Sequence, residues 1–414
     1  MSFQRAAITP SQQTFLNSVR SFLTKNPAPF SEPPINHESD WEQVFELATY
    51  HGVIPAVRSA LCRPGQTIPE HIERRLNDAF FRSAASSLSY TADLAQLRLH
   101  EQGFRSLAFK GPALGIGLFG KASLRHCRDL DILVPKRDVP KAREWFYQCG
   151  YRLDDAYVGK DDALTTDKHL LFVNQDTGTK LELHWAIALP KRHFQLDFDS
   201  VWGRREDVQV CQTPVAVPGP RDLLMMLCVH GASHYWSSLK WACDIAAFLT
   251  KYPDLDWTRV RTEAKRLGCW RMLLIGVSLG RDLAGCVLPK MVEIELSHHS
   301  VRDLCAKIQE RTFSMQNLSP MNSRHALERL SADITCRERS IDRVRIAGSF
   351  IRAVIDREIH KKSAAGQGSF LAPLFVASVA SKSWRNVGRL ILDTFDCSRR
   401  SQTVRIAPFG RTSG

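Results

Sequence analysis

The sequence predicts an α+β protein in which a short stretch of strands lies between two helical regions. Two observations support this class. Residues before about 103 and after about 218 carry apolar side chains at helical spacing, whereas residues 104–217 include short apolar and alternating runs typical of strands. The chain has 414 residues, of which 44% are hydrophobic, so it is long enough for several domains and too apolar to be disordered.

We expect four regions along the chain. They are a helical cap over 1–103, an α+β core over 104–217, a helical domain over 218–336 and a basic C-terminal extension over 337–414. The cap should contain a long helix from about 69 to 101, because residues 70–101 contain neither glycine nor proline and Gly103 follows.

The core alternates short strands with a helix. An apolar run at 106–109 and an alternating run at 129–134 each have the length of a strand, and a helical pattern follows from about 139 to 149. Two further runs, 169–173 and 180–185, flank a polar turn that contains glycine, which predicts an antiparallel hairpin. Helical spacing then returns in the third region, over residues 222–234, 239–251, 257–267, 272–283 and 301–313.

The positive charge is concentrated in the last region. The chain carries 56 Lys and Arg against 43 Asp and Glu, but residues 337–414 alone contain fifteen basic and six acidic residues. Residues 101–190 are almost neutral, with thirteen basic and twelve acidic residues. The extension therefore fits either an anchor for an anionic surface or nucleic acid, or a solvated helix packed on the cap, and we favour the packed helix. The anchor would use Arg337, Arg339, Arg343, Arg345 and the apolar run at 370–379.

The cysteines and the N-terminal residues indicate the cellular compartment of the protein. The eleven cysteines are scattered and form no CxxC pair, so neither a disulfide framework nor a zinc knuckle is indicated. The first residues contain no apolar leader, and the longest apolar run, 370–380, is too short to cross a bilayer. We expect a cytoplasmic protein with no transmembrane segment.

Two glycine patterns resemble phosphate loops but lack the required context. Residues 115–120 match GxGxxG, yet Gly115 comes six residues after the strand that ends at Phe109. With Lys121 the same stretch resembles a Walker A motif, but Ala122 stands where the Mg²⁺-binding hydroxyl belongs. We interpret these glycines as positions that let a helix pack closely.

A better phosphate site precedes them. Lys110 and Gly111 directly follow a strand and precede Pro112, so the free N–H groups of a helix start would face an anion beside the lysine. Asp129 and Asp131 then share one face of a strand, because residues two apart point the same way.

A third acid shows the same alternation. Glu182 shares a strand face with His184, while the leucines beside them face the opposite side. Two carboxylates on one strand face are suitable ligands for Mg²⁺ or Mn²⁺. Three carboxylates together with a glycine turn are typical of a two-metal site for phosphoryl or nucleotidyl transfer.

These motifs together resemble a known family. The segments 109–114, 129–134 and 181–185, with Arg125 and the later segment 230–245, are similar to a bacterial family of nucleotidyltransferases in the DNA polymerase β-type superfamily. The resemblance implies a small mixed β-sheet flanked by helices. It implies Asp129 and Asp131 as ligands of two divalent ions, with Glu182 as the third carboxylate.

The function that follows is a metal-dependent nucleotidyl transfer. An acceptor hydroxyl on a small molecule, saccharide, peptide or protein would attack the α-phosphate of a nucleoside triphosphate, and pyrophosphate would leave. The proposed substrate and phosphate contacts are Lys110, Gly111, Arg125, His184 and Lys240. Two alternatives stay open: a non-catalytic nucleotide- or RNA-binding protein, and an interaction protein with a degenerate site.

Two further pairs at i, i+4 spacing are weaker candidates. His230 and His234 could share a zinc ion, but packing or substrate contact is the better interpretation because no HExxH motif accompanies them. Lys240 and Asp244 fit either a surface ion pair or a contact near the phosphates.

Overall fold

Four helices come before the sheet. The computed structural model describes residues 9–25, 35, 37–160, 162–189, 194–313 and 323–364, with side chains described outside 323–327 and 356–364. The first helices are α1 (Pro10–Thr24), α2 (Glu38–Tyr50), α3 (Ile54–Leu61) and α4 (Glu70–Gln96). The helix α4 ends earlier than predicted, because Arg98 adopts a left-handed conformation and only a 3₁₀ turn follows.

A five-stranded mixed sheet forms the centre of the core, so the predicted fold class is confirmed. Its strands are β1 (Leu107–Ala108), β2 (Leu130–Leu133), β3 (Tyr151–Leu153), β4 (His169–Asn174) and β5 (Lys180–His184). The spatial order is β1-β2-β5-β4-β3, and only β2 and β5 run parallel. The predicted hairpin is therefore present as β4 and β5.

The core also contains four helices and a second hairpin. The helices are α5 (Gly111–Phe119), α6 (Val139–Gln148), α7 (Ala163–Thr166) and α8 (Phe198–Trp202). The hairpin of β6 (Glu206–Val210) and β7 (Thr213–Val217) was not predicted. Its turn residues Cys211 and Gln212 both have positive φ angles without being Gly, Asn or Asp, so the usual sequence signal for a tight turn is missing.

The third and fourth regions are helical. They contain α9 (Pro220–Ser233), α10 (Leu239–Lys251), α11 (Trp257–Leu267), α12 (Trp270–Ala284), α13 (Lys290–Leu296), α14 (His299–Thr312), α15 (Ser323–Thr335) and α16 (Ser340–Ala364). A close crossing joins α10 to α12, since a Cβ on Gly280 would lie 2.7 Å from Ile245. Among the described residues, no helix combines the length and apolar character that a membrane crossing requires.

Three hydrophobic cores hold the described elements together, of which the smallest joins α15 to α16. The largest joins the early helices to the late ones, since Phe15 and Val57 belong to the same buried cluster as Ile245 and Leu274. The second lies under the sheet and includes Ile132 and Phe172. The sheet is thus anchored by its own core, while helices from both ends of the chain pack around it.

The start of the C-terminal extension is packed and not free on the surface. Arg337 is 1% exposed and donates to the Gly268 carbonyl at 3.1 Å, and Arg343 donates to the Arg337 carbonyl at 2.8 Å. Two of the four arginines that an anchor would use are therefore buried. The favoured interpretation placed the extension on the cap, whereas Arg337 contacts Gly268 of the helical domain. The apolar run at 370–379 lies outside the described residues.

Candidate active site

The parallel strands β2 and β5 bring two of the predicted acids side by side. Asp131 on β2 is the register partner of Glu182 on β5, so both carboxylates lie on the same sheet face. Asp129 precedes β2 by one residue, and the extended chain there places it beside Asp131. The three carboxylates form one group, as the sequence predicts.

The turn from β1 to α5 places the ammonium group of Lys110 beside these carboxylates. The Phe109 N–H donates to the Asp131 carbonyl at 3.3 Å, which fixes the end of β1 against β2. The next residue, Lys110, is buried, and its Nζ lies 2.5 Å from Asp131 Oδ1. Lys110 thus contacts a carboxylate directly in addition to preceding the predicted phosphate-binding helix.

Gly111 makes this approach feasible. It has a φ of +61°, and a Cβ in its place would lie 2.9 Å from the Asp129 carbonyl oxygen. Any larger residue would push the start of α5 away from the acids. Gly115, within the GxGxxG pattern, instead packs against Ala122 inside the fold, in agreement with the close-packing interpretation.

Asp131 carries an excess of acceptor capacity. Its side chain is fully buried, Oδ1 receives Lys110, and Oδ2 is a buried oxygen with no hydrogen-bond partner among the described residues. Burial alone would raise the pKa of the Asp131 carboxyl, but Lys110 and His184 hold it well below its usual range. Asp131 is therefore an anion at neutral pH with one oxygen available to a ligand.

Asp129 has the opposite electrostatic balance. Burial and the neighbouring Asp131 raise the pKa of its carboxyl to about 6. The raised pKa reflects burial first and repulsion from Asp131 second, and Lys110 only partly offsets both. A bound cation would relieve this repulsion.

Two histidines complete the acidic face. His184 is buried, and its Nε2 lies 2.9 Å from Glu182 Oε2 and 3.2 Å from Asp131 Oδ1. Burial would raise the pKa of Glu182, but the contact with His184 lowers it to about 2. His169 starts β4 opposite His184, and its Nε2 lies 3.7 Å from Glu182 Oε1. His184, predicted as a substrate contact, thus also positions the carboxylates.

Sequence analysis missed His169 as a member of the site. Its signal was available, since the predicted hairpin places one residue of its first strand opposite His184. What the sequence does not provide is the register, and a shift of one residue would have turned His169 to the other face.

The structure places Arg125 in a buried pair outside this group. Its Nε and Nη2 donate to the two carboxylate oxygens of Asp244 at 2.8 and 2.9 Å. The partner of Asp244 is therefore Arg125, and the pair is buried, in contrast to the surface pair with Lys240 that the spacing suggested. The predicted phosphate contact of Arg125 stays a prediction.

Lys240 lies near the same group on α10. Burial and the charge of Arg125 lower the pKa of Lys240 to about 8, while Asp244 and Asp129 act in the opposite direction. Lys240 is therefore still mostly charged at pH 7, and an anion bound beside it would raise its pKa again. The predicted phosphate role of Lys240 fits this position and stays a prediction.

His230 and His234 pack with an aromatic ring. Their ring centroids lie 4.6 Å apart, and both rings contact Trp241. Burial and Lys110 lower the pKa of His230, which places it close to the acidic group. This arrangement agrees with the packing or substrate interpretation.

Comparison with protein families covers the sheet and the acidic group together. A family model described as an uncharacterised nucleotidyltransferase matches residues 37–285, which is more than half of the chain. The chain belongs to this family. The matched region contains the five-stranded sheet, all three acids and the helices α9 and α10. Searches among curated proteins and among solved structures returned no match.

Proposed function

We propose that the protein transfers a nucleoside monophosphate from a nucleoside triphosphate to an acceptor hydroxyl, with release of pyrophosphate. The observation that carries the proposal is the buried Oδ2 of Asp131, which has no hydrogen-bond partner in the described part of the chain and belongs to a group of three carboxylates. An ionised oxygen held away from water without a partner is costly unless a cation binds it. The family membership supports nucleotidyl transfer as the reaction class.

The donor set fits divalent ions such as Mg²⁺ or Mn²⁺. Asp129 and Asp131 supply hard oxygen ligands, and Glu182 adds a third beside them. When bound, such ions neutralise the triphosphate and lower the pKa of the attacking hydroxyl. The burial and the repulsion from Asp131 that raise the pKa of Asp129 are the electrostatic reason for the site to accept them.

The start of α5 binds the phosphates in this proposal. The helix presents backbone N–H groups after Gly111, and Lys110 brings its ammonium group next to the same position. Lys240 adds a positive charge from α10, since a pKa of about 8 leaves it mostly protonated at pH 7. The phosphates are thus held between two elements, while the carboxylates lie on the sheet.

Glu182 orients the acceptor. A carboxylate with a pKa of about 2 is a weak base. Glu182 therefore accepts a hydrogen bond from the hydroxyl and does not itself become protonated. The acceptor oxygen forms a bond to the α-phosphorus, the bond to the bridging oxygen of pyrophosphate breaks, and the proton passes to water. His184 keeps Glu182 in place through its Nε2 contact.

The test is an assay of pyrophosphate release from each labelled triphosphate with Mg²⁺ or Mn²⁺. We expect Asp129→Asn to lower turnover by about 10³-fold or more, equivalent to about 4 kcal/mol of transition-state stabilisation. The matched control is Asp207→Asn, which alters an exposed aspartate on β6 and should retain full turnover.

Two outcomes would overturn the proposal. One is full turnover in Asp129→Asn. The other is triphosphate binding by the wild-type protein without pyrophosphate release with either metal ion, which would indicate a nucleotide-binding module instead. Labelling of the protein itself during turnover would identify a residue of this chain as the acceptor.

A further inference from the structure

A second set of ligands lies at the Glu182 end of the acidic face. His169, Glu182 and His184 each offer one ligand atom, and these atoms all lie within 4.8 Å of one another. Within the described residues, this is the one group of three His, Cys, Asp or Glu side chains whose ligand atoms lie this close together. Two of its three members are nitrogen donors, which distinguishes it from the aspartate pair.

The fold holds these three side chains rigidly. His169 and His184 are register partners across β4 and β5, and Glu182 lies two residues before His184 on the same strand face. The ring centroids of the two histidines are 4.9 Å apart. All three ligands come from adjacent strands and not from loops, so the group is preorganised.

The backbone orients His184 so that its Nε2 faces the acidic group. Its Nδ1 lies 3.3 Å from the carbonyl oxygen of Ala186, and a carbonyl can only accept, so Nδ1 carries a hydrogen. Its Nε2 lies 2.9 Å from Glu182 Oε2 and 3.2 Å from Asp131 Oδ1. An imidazole nitrogen and two carboxylate oxygens, which are common metal ligands, therefore meet at one point.

The direct contact of Lys110 in this group is with Asp131, since its Nζ lies 2.5 Å from Asp131 Oδ1. A ring N–H held by a backbone carbonyl, with the second nitrogen aimed at carboxylates, is the arrangement that orients metal-binding histidines. His169 brings a second imidazole to the same point, since its Nε2 lies 3.7 Å from Glu182 Oε1.

We propose that His169, Glu182 and His184 form a metal position that takes a first-row transition ion, Zn²⁺ or Mn²⁺, in preference to Mg²⁺. Imidazole nitrogens are good ligands for such ions, whereas Mg²⁺ favours an all-oxygen set. The inference rests on the proposed function, because it names the class of ion for the Glu182 side of the same site. It assigns His169 to the ligand set.

Binding of metal to the metal-free, full-length protein tests this assignment without any assay of activity. Equilibrium dialysis with Zn²⁺, Mn²⁺ or Mg²⁺ gives the affinities, and pulsed electron paramagnetic resonance of the Mn²⁺ form reports couplings to imidazole nitrogen. We expect His169→Ala to weaken Zn²⁺ and Mn²⁺ binding at least tenfold, to reduce the nitrogen coupling, and to change Mg²⁺ binding by less than threefold.

The control variant is His100→Ala. His100 Nε2 also lies near a glutamate, 3.3 Å from Glu101 Oε1, but outside the group. This variant should retain wild-type affinity for all three ions. Glu182→Gln provides a second test with nearly unchanged side-chain volume, and thermal unfolding of each variant verifies that it folds.

The assignment is overturned if the wild-type protein binds Mg²⁺ as tightly as Zn²⁺ and Mn²⁺, or if Mn²⁺ shows no nitrogen coupling. It is also overturned if a folded His169→Ala protein retains wild-type affinity for the transition ions. These results are separate from the proposed function, which fails if no triphosphate yields pyrophosphate with any ion. A protein could bind Zn²⁺ as expected and still lack turnover, or the reverse.

Discussion

Two buried pairs of a cation and a carboxylate lie in the core, and they differ in how completely their polar atoms are used. Arg125 donates from two nitrogens to both oxygens of Asp244, so that carboxylate is fully paired. Lys110 contacts Asp131 through one oxygen and faces two further acids. The other oxygen, Oδ2, has no hydrogen-bond partner among the residues that the structure describes. The first pair joins the segment before β2 to α10, whereas the second borders the sheet face.

The difference separates a structural pair from a binding site. A bidentate pair with no remaining acceptor stabilises the contact between two elements and has nothing left for a ligand. In a pair with additional carboxylate oxygens, the burial of unpaired negative charge is unfavourable, and a bound cation removes that cost. The predictions below test this distinction, from the largest expected effect to the smallest.

Breaking the Arg125–Asp244 pair should cause the largest loss of folding stability. In Asp244→Ala the Arg125 guanidinium would remain buried without its partner, which typically costs about 3–5 kcal/mol. Urea unfolding of the metal-free protein, with and without added Mg²⁺, measures the loss. We expect the same loss in both conditions, because this pair binds no metal. Recovery of stability on addition of Mg²⁺ would contradict the structural role.

Breaking the Lys110–Asp131 pair should cause a smaller loss of folding stability, and added metal ion should restore most of it. In Lys110→Met the three carboxylates lose their ammonium partner, and we expect a loss of about 3 kcal/mol in the presence of a chelator. Added Mg²⁺ should restore most of that loss, since it supplies the missing positive charge. Lys121→Met, on an exposed lysine, is the control and should change neither value. A loss that Mg²⁺ does not reduce would make Lys110 a purely structural residue.

Lys240 should have opposite effects on stability and on binding. Because its pKa is lowered to about 8, its charged form destabilises the fold below that pH, and stability should rise as the pH increases from about 8 toward the ordinary lysine value. In Lys240→Met this dependence should disappear. The same variant should weaken triphosphate binding about tenfold, or about 1.4 kcal/mol, in a fluorescence titration. Unchanged binding would remove Lys240 from the phosphate contacts.

The smallest effect is the pH dependence that Asp129 contributes. Its folded-state pKa of about 6 lies above its ordinary value, so its contribution to stability is present below about pH 4 and is lost as the pH rises through 6. In metal-free protein, the wild type should therefore lose stability relative to Asp129→Asn across this window. Parallel unfolding curves at pH 4.5 and 7 measure the difference. Equal stability differences at both pH values would show that Asp129 is not strained by its neighbours.

Much of the site could be predicted from local patterns. The alternation around Asp131 and Glu182 places each acid on a definite strand face, and Gly111 after a strand indicates a helix start with free N–H groups. These features depend only on neighbouring residues. The second hairpin and the partner of Asp244 could not be found in this way, because one depends on an unusual turn and the other on residues 119 positions apart.

The sequence by itself determined that the chain has an α+β core with three acids and a cationic glycine turn, since periodicity and spacing act over a few residues. Only the tertiary structure decided which of those charges meet. Strand register placed Asp131 beside Glu182 and His169 opposite His184, and helix packing paired Arg125 with Asp244. Register and packing are set by the burial of side chains from distant segments, and no local pattern encodes that choice.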